Sequence, residues 1–410
     1  MIECADQISI FDIMYEPVRI KKPIRLIELF AGYGSQAMAL EKIGANFEHY
    51  RVVEFDKYAV ASYNAVHGTD FPTMDITKVH ADDLNICDTE AFTYLLTYSF
   101  PCTDLSVAGK QAGMKKGSGT RSGLLWEVER ILKEIRDKGG ELPQILFMEN
   151  VPQVHSDDNM PDFQNWIDFL TGLGYVNYWK DLNATDYGVA QNRNRCYMFS
   201  FLNRCSYKFP QPVVLTNRIC DYLEKSVDSK FYLSKQNIDY FVKHEQEQRK
   251  AGNSFHAVYK GVKDIAATIP SRYGKDGSNC LIKEPIVVAM RGRNPDNPSD
   301  RSVGSPTKQR LEPNMSGTSN CLTSVQKDNL VLEPKYRIRK LTPRECGRLM
   351  GVSDEDISKM AAVNSNTQLY KQFGNSIVVD VMCAMFKNLN IQQEGDGKNE
   401  KRAEISGIGE

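Results

Sequence analysis

The residues of this chain that could do chemistry are a cysteine, a carboxylate and two arginines at the ends of apolar runs. Cys102 follows Phe100 and Pro101 directly after FTYLLTYSF (92–100), and opens a Gly-, Ser- and Lys-rich stretch that reaches Gly123. A thiol on a loop beyond a strand end is either a small hydrophobe or a nucleophile, since open α/β sheets bind ligands and do chemistry at that edge. Glu149 ends the run Ile-Leu-Phe-Met and is followed by Asn150. A carboxyl beneath apolar walls has a raised pKa and suits general acid work; the alternative is a helix cap or loop carboxylate. Gln191, Arg193 and Arg195 precede CYMFSF (196–201). Strand alternation puts the three on one face, where two guanidinium groups need an anionic or carbonyl partner unless the strand is an exposed edge.

A second set suits a nucleoside. IRLIELFAGYGS (24–35) reads as strand, glycine turn and helix, with Gly32 and Gly34 allowing a tight turn and close approach to a ligand. Glu54 lies about 20 positions further on, where an acidic residue accepts from a ribose diol or simply sits solvated at a strand end. Asp75 is placed to accept from an adenine amino group. The third glycine of the dinucleotide fingerprint is missing, and so is the lysine of a phosphate cradle. S-adenosylmethionine, a nucleoside without pyrophosphate, therefore fits better than a nicotinamide dinucleotide.

These groups need a scaffold. Strand patterns cover 24–29, 51–55, 94–100, 145–149, 175–182 and 196–202, and helical patterns cover 36–43, 57–66, 124–138 and 162–170. Such alternation predicts an α/β fold with a doubly wound, mostly parallel sheet. After Phe209-Pro210 it fades into long polar loops such as RGRNPDNPSDRSVGSPTKQR (291–310). Helical character returns at 342–350, and 376–381 is strand-like. The reading is a catalytic and cofactor-binding domain (1–203), a smaller irregular domain (204–340), a segment returning to the first domain (341–391), and a disordered tail (392–410).

Composition narrows the class. No apolar run approaches the ~18 residues of a membrane span, and the N-terminus lacks the pattern of a signal peptide. The ten cysteines include no C-x-x-C pair, which argues against structural zinc and a disulfide framework and for a reducing cytoplasm. The net charge of −1 hides an asymmetry: 204–340 carries 24 basic and 14 acidic residues, the remainder 27 and 38. A module at +10 on a body at −11 suggests a polyanionic partner, or else a solvated charged surface.

Taken in order, FAGYGS (30–35), VVEFDKYA (52–59), FPC (100–102), ENV (149–151), QNRNR (191–195), RKLTPRE (339–345) and QFGNSIVVDV (372–381) resemble the ordered motif set of DNA cytosine-C5 methyltransferases. The resemblance spans residues 24 to about 388. It departs at Ser99, where glycine is common, and at Thr103, where glutamine is usual. It implies a Rossmann-like S-adenosylmethionine-dependent methyltransferase with a DNA-recognition domain at 204–340. It further implies that Cys102 adds to C6 of a flipped-out cytosine, that Glu149 contacts N3 and the exocyclic amine, that Arg193 holds O2, and that Arg195 helps to lower the thiol pKa. Asn150 braces the Pro-Cys loop. The cofactor contacts fall on Phe30, Gly32, Gly34, Glu54, Phe55, Asp75, Ile76, Pro101, Leu124, Asn375 and Ser376. The stretch 106–122 is expected to be a lid with Lys110, Lys115, Lys116 and Arg121 meeting phosphate. Arg291, Arg293, Arg301 and Arg310 are candidate base readers, and Leu322-Thr323 is the pair nearest the flipped base. Double-stranded DNA is the implied partner, with a cognate restriction endonuclease alongside, for a cytoplasmic monomer in a prokaryotic cell. Rival readings are a tRNA cytosine-5 methyltransferase on the same scaffold and a catalytically inactive DNA-binding protein.

Overall fold

The computed structural model describes residues 15–102, 104–105, 113–252, 256–300, 302, 304–313 and 330–392. The apolar runs of the first half form one six-stranded sheet. Its strands are β1 (Ile24–Leu29), β2 (Phe47–Val53), β3 (Thr93–Tyr98), β4 (Ile145–Asn150), β5 (Val176–Asn183) and β6 (Asn194–Phe201), in the order β2-β1-β3-β4-β6-β5. β1 pairs in parallel with β2 and β3, and β3 with β4. β6 runs against both its neighbours, β4 and β5. The sheet is thus mostly parallel, with one reversed strand.

Alternate residues of each strand feed opposite cores, as the pleat requires. Leu26, Leu95, Phe147 and Phe199 face one apolar cluster, whereas Ile27, Leu96, Met148 and Met198 face the other. α3 (Leu125–Asp137) and α4 (Met160–Gly172) cover the second face. The first face is covered by α1 (Ser35–Lys42) and by helices from the far end of the chain. α2 (Lys57–His67) follows β2. No helix of the described residues is long and apolar enough to cross a membrane.

The segment 204–340 is more regular than its composition suggests. It holds the helix α5 (Lys235–Lys250) and a second sheet of β7 (Tyr259–Gly261), β8 (Leu281–Arg293), β9 (Lys308–Pro313) and β10 (Leu330–Lys340), with β8 paired to all three others. The chain then forms α6 (Pro343–Leu349), α7 (Asp354–Val363), α8 (Asn366–Asn375) and α9 (Val379–Lys387). The strand-like run at 376–381 is therefore not a strand. Its apolar residues continue at helical spacing, and Val379, Val381, Met382, Cys383, Met385 and Phe386 are all buried in α9.

A buried ion network joins the second sheet to α6. Arg339, fully buried, donates to Glu345 at 2.7 and 2.9 Å and to Glu284 at 2.5 Å. Glu345 also accepts from the Glu224 amide at 2.9 Å and the Thr342 amide at 2.8 Å, and Glu284 from the Tyr232 hydroxyl at 2.8 Å, so both carboxylates that face the one guanidinium have further donors. Removing one partner of such a network strands the others in a low dielectric. Arg339→Ala is expected to destabilise the protein by about 3–5 kcal/mol, read as a lower urea midpoint.

Candidate active site

The Phe-Pro-Cys loop is fixed through its backbone on both sides. Asn150 at the end of β4 donates through Nδ2 to the Phe100 carbonyl at 2.9 Å, and its Oδ1 accepts from the Val151 amide at 2.9 Å. Ser122 Oγ donates to the Pro101 carbonyl at 2.7 Å. Asp104 Oδ2 accepts the amides of Arg121 at 2.7 Å and Ser122 at 3.3 Å, which pins the far end of the 106–122 stretch to the same loop. Cys102 is left half-buried against the apolar cluster under β3 and β4.

Glu149 stands one residue before Asn150, opposite Tyr197 in the β4–β6 ladder, and is almost wholly buried. Arg195 Nε lies 3.1 Å from its Oε1. Burial raises the Glu149 carboxyl above the ordinary range, although Arg195 and Arg193 pull it down. Burial and the Glu149 charge raise the Cys102 thiol, against the pull of the same two arginines. In the free site burial thus shifts both the thiol and the carboxyl toward their protonated forms.

Gln191 and Arg193 precede β6, which begins only at Asn194, so the alternation does not extend back to them, although the Arg193 charge still acts on Glu149, Cys102 and Arg195. Arg193 is buried. Its guanidinium donates to the carbonyls of Ile269 at 3.2 Å, Gly374 at 3.0 Å and Ser376 at 2.6 Å. Burial and Arg195 bring its pKa down to about 9. Its Nη donors are thus engaged by the backbone at residues 269, 374 and 376, whereas its buried Nε has no hydrogen-bond partner among the described residues. Gln191, fully buried, donates to the Leu349 carbonyl at 2.9 Å and accepts from the Ile269 amide at 3.3 Å. It ties the start of β6 to the Leu349 and Ile269 backbone.

On the cofactor side, β2 ends at Val53, two residues earlier than its pattern suggests, so Glu54 lies just beyond the strand. Glu54 Oε2 accepts the Gly32 amide at 3.0 Å and Oε1 accepts the Asp56 amide at 2.8 Å. The carboxylate is thereby held against the glycine turn. Phe30 and Gly32 both have positive φ, 59° and 58°, a strained choice for a phenylalanine. A Cβ on Gly32 would meet nothing within 4 Å, whereas one on Gly34 would strike His67 and Tyr63. The first glycine borders open space and the second permits close packing. Phe55 is 74% exposed, a bare aromatic face beside Glu54. Asp75 is exposed, its carboxyl held below the usual range by the Thr77 amide and hydroxyl. Ile76 is buried, and Leu124 caps α3. Ser376 shares a hydrogen bond with Ser35 at the start of α1, and Asn375 beside it is exposed. Lys371 holds Asp56 at 2.7 Å, so the C-terminal segment closes this pocket. Acceptor oxygens, an open aromatic face and a turn without a cation fit a nucleoside, and the residues present suit S-adenosylmethionine.

Lys110, Thr103, Arg301, Leu322 and Thr323 lie outside the described residues. Lys116 is paired with Glu129 at 2.5 Å, and Arg121 is exposed. In the second sheet Arg291 lies opposite Arg310 in the β8–β9 ladder and is exposed. Arg293 is engaged by Glu312 through two bonds of 2.5 Å, so it is not a free base reader in this state. Ser122, Asp104 and Glu345 escape a reading of the chemistry alone. The one local signal is the Thr-Pro-Arg-Glu spacing of 342–345, which forms a capping box.

Comparison with known proteins agrees with this geometry. The family model for C-5 cytosine-specific DNA methylase matches residues 24–390. Type II methyltransferase M2.ScrFI of Lactococcus lactis subsp. cremoris is 31% identical, over 89% of this chain and 99% of its own. Type II methyltransferase M.NlaX of Neisseria lactamica is also 31% identical, over 89% and 96%. The crystal structure of S. pombe Dnmt2 methyltransferase superposes with a TM-score of 0.61 at 18% identity, covering 89% of this chain and 97% of that one, and bears on the fold. With a matched model over nearly its whole length and relatives above 30% identity, the chain belongs to the C-5 cytosine-specific DNA methylase family, enzymes that methylate cytosine at carbon 5.

Proposed function

We propose that this protein methylates carbon 5 of a flipped-out cytosine within a specific double-stranded DNA sequence, through a covalent bond between Cys102 and C6. The observation that carries the proposal is the buried Glu149–Arg195 pair, 3.1 Å apart, beside a thiol on a doubly braced loop. Phe30, Gly32, Gly34, Glu54, Phe55, Asp75, Ile76, Pro101, Leu124, Asn375 and Ser376 would hold S-adenosylmethionine, which when bound supplies an electrophilic methyl group. Cys102 Sγ adds to C6, and the C5–C6 π electrons move toward N3. Glu149 donates its proton there and bonds the exocyclic amine, so that it selects cytosine and neutralises the developing charge. Arg195, on the other side of Glu149, is the guanidinium assigned to O2. Arg193 acts at a distance, by holding the Gly374 and Ser376 carbonyls and so the segment that closes the cofactor pocket. Once the nucleophilic C5 has taken up the methyl group, loss of the C5 proton to a base expels Cys102 as the thiolate, and return of the N3 proton to Glu149 restores the ring.

C6 is inaccessible in stacked duplex, so the base must be extruded at a cost of a few kcal/mol. Closure of the 106–122 stretch over it, with Lys110 and Arg121 on phosphate, suits the Asp104 hinge. The +10 module carries recognition, with Arg291 the free candidate for a base edge among the described residues and Leu322-Thr323 beside the flipped base. The proposed setting is a monomer in a prokaryotic cytoplasm, working beside a cognate restriction endonuclease as the type II names of its relatives suggest. Transfer of labelled methyl to duplex DNA and to tRNA separates the substrates: label on duplex DNA is expected, and label on tRNA alone would overturn the proposal.

A further inference from the structure

A second cluster of ligating side chains lies behind the glycine turn, where α1, β2 and α2 meet. Glu41 comes from α1, His49 from β2 and His67 from the last position of α2. One oxygen of Glu41 and one nitrogen of each histidine all lie within 4.8 Å of one another. Glu41 Oε1 is 3.0 Å from His67 Nδ1 and 3.6 Å from His49 Nε2.

The outer hydrogen bonds fix which nitrogens are protonated. His67 Nε2 faces the Tyr33 carbonyl at 3.2 Å, and a carbonyl can only accept, so Nε2 carries the hydrogen. His49 Nδ1 lies 2.8 Å from Tyr63 Oη, whose own hydrogen goes to buried Glu28 at 2.6 Å. While Glu28 is ionised the phenol oxygen accepts, and His49 Nδ1 carries the hydrogen. In both neutral rings the remaining nitrogen turns a lone pair toward the Glu41 carboxylate. Three lone pairs converge: one proton on His67 Nδ1 would satisfy only its 3.0 Å contact with Glu41 and leave His49 Nε2, 3.6 Å away, unserved, whereas a cation among them serves all three. Protonating both rings would put two positive charges on rings whose centroids are 4.8 Å apart. A single divalent ion satisfies all three groups together.

The spacing suits such an ion. Zinc held at about 2.0–2.1 Å by tetrahedral ligands separates them by about 3.4 Å, and the two measured separations fall on either side of that. Each histidine has its far nitrogen oriented by a second partner, as metal-bound imidazoles do. The His67 side chain is buried, His49 is 19% exposed and Glu41 is 46% exposed, which leaves an entry path and an open position on the Glu41 side.

We propose that Glu41, His49 and His67 bind one zinc-class divalent ion, and that this ion locks the glycine turn through the His67 bond to the Tyr33 carbonyl. Two imidazoles and one carboxylate favour zinc and its transition-metal neighbours over magnesium. The proposal is independent of the methyl-transfer reading. The test is titration of the full-length, EDTA-treated protein with Zn²⁺ alone, followed by calorimetry and by the thermal midpoint. One ion per chain is expected, with a rise in midpoint, and with affinity at least tenfold weaker in Glu41→Gln and in His49→Gln. Both residues are partly exposed, and circular dichroism checks that the variants fold. Co²⁺ should give the visible absorption of a tetrahedral site in the wild type and lose it in both variants. Zinc bound equally well by the folded variants would mean that cysteines hold it, and would overturn the assignment. So would absence of stoichiometric binding, an equal response to Mg²⁺, or ring-nitrogen resonances showing both histidines doubly protonated and unmoved by zinc.

Discussion

Cys102→Ser is expected to lower kcat for methyl transfer by at least ~10³–10⁴-fold, with DNA and cofactor affinities within about twofold of the wild type. A serine hydroxyl is far harder to ionise than a thiol, and burial and the Glu149 charge already oppose ionisation at this position by raising its pKa. Binding should survive because the loop is held by Asn150 on the Phe100 carbonyl and by Ser122 on the Pro101 carbonyl, neither of which involves the thiol. Single-turnover transfer and equilibrium binding measure the two halves separately. Retained turnover would sink the nucleophile assignment, and lost binding would make Cys102 a structural residue.

Glu149→Gln carries the second large effect, a loss of about 10²–10⁴-fold in kcat with a changed pH profile. Burial raises both the Glu149 carboxyl and the Cys102 thiol above their ordinary values, and a carboxyl ordinarily titrates well below a thiol. The reactive form has Glu149 protonated and Cys102 ionised. Between the two pKa values this form is a constant small share of the singly protonated pair, so the wild-type rate is flat there. It falls below the Glu149 pKa, where the thiolate is lost, and above the Cys102 pKa, where the acid is lost. With glutamine at 149 only the thiol titrates, and the rate should climb about tenfold per pH unit up to the Cys102 pKa. A variant that kept the wild-type plateau would remove Glu149 from proton transfer.

Much of this architecture is legible in the chain because the sheet follows local pattern. β1 falls at 24–29 as its run of apolar residues requires, and α2 starts where Asp56 caps it. Cys102 and Glu149 announce themselves by position, each at the end of an apolar run. The errors have one physical source, which is that local alternation says nothing about distant partners. Gln191 and Arg193 sit on the face that alternation assigns only if the strand reaches them. It stops at Asn194, and both side chains turn to elements more than 70 residues away. The second sheet is invisible for the same reason, since β8 finds β10 across a long intervening segment. The β-branched residues Val378, just before α9, and Val379 and Val381 within it imitate a strand, and only burial against α1 and the sheet reveals the helix. Arg293 looks free in a polar loop sequence, but its partner Glu312 arrives from the neighbouring strand.

Duplex DNA in which every cytosine is replaced by 5-fluorocytosine tests the central claim most directly, since fluorine at C5 cannot leave as a proton does and no recognition sequence need be known. Incubated with the protein and S-adenosylmethionine, it should yield a denaturation-resistant adduct of one chain per site, mapped by mass spectrometry to Cys102 and absent in Cys102→Ser. No adduct from a preparation that actively methylates ordinary duplex DNA, or an adduct at another residue, would contradict the covalent mechanism.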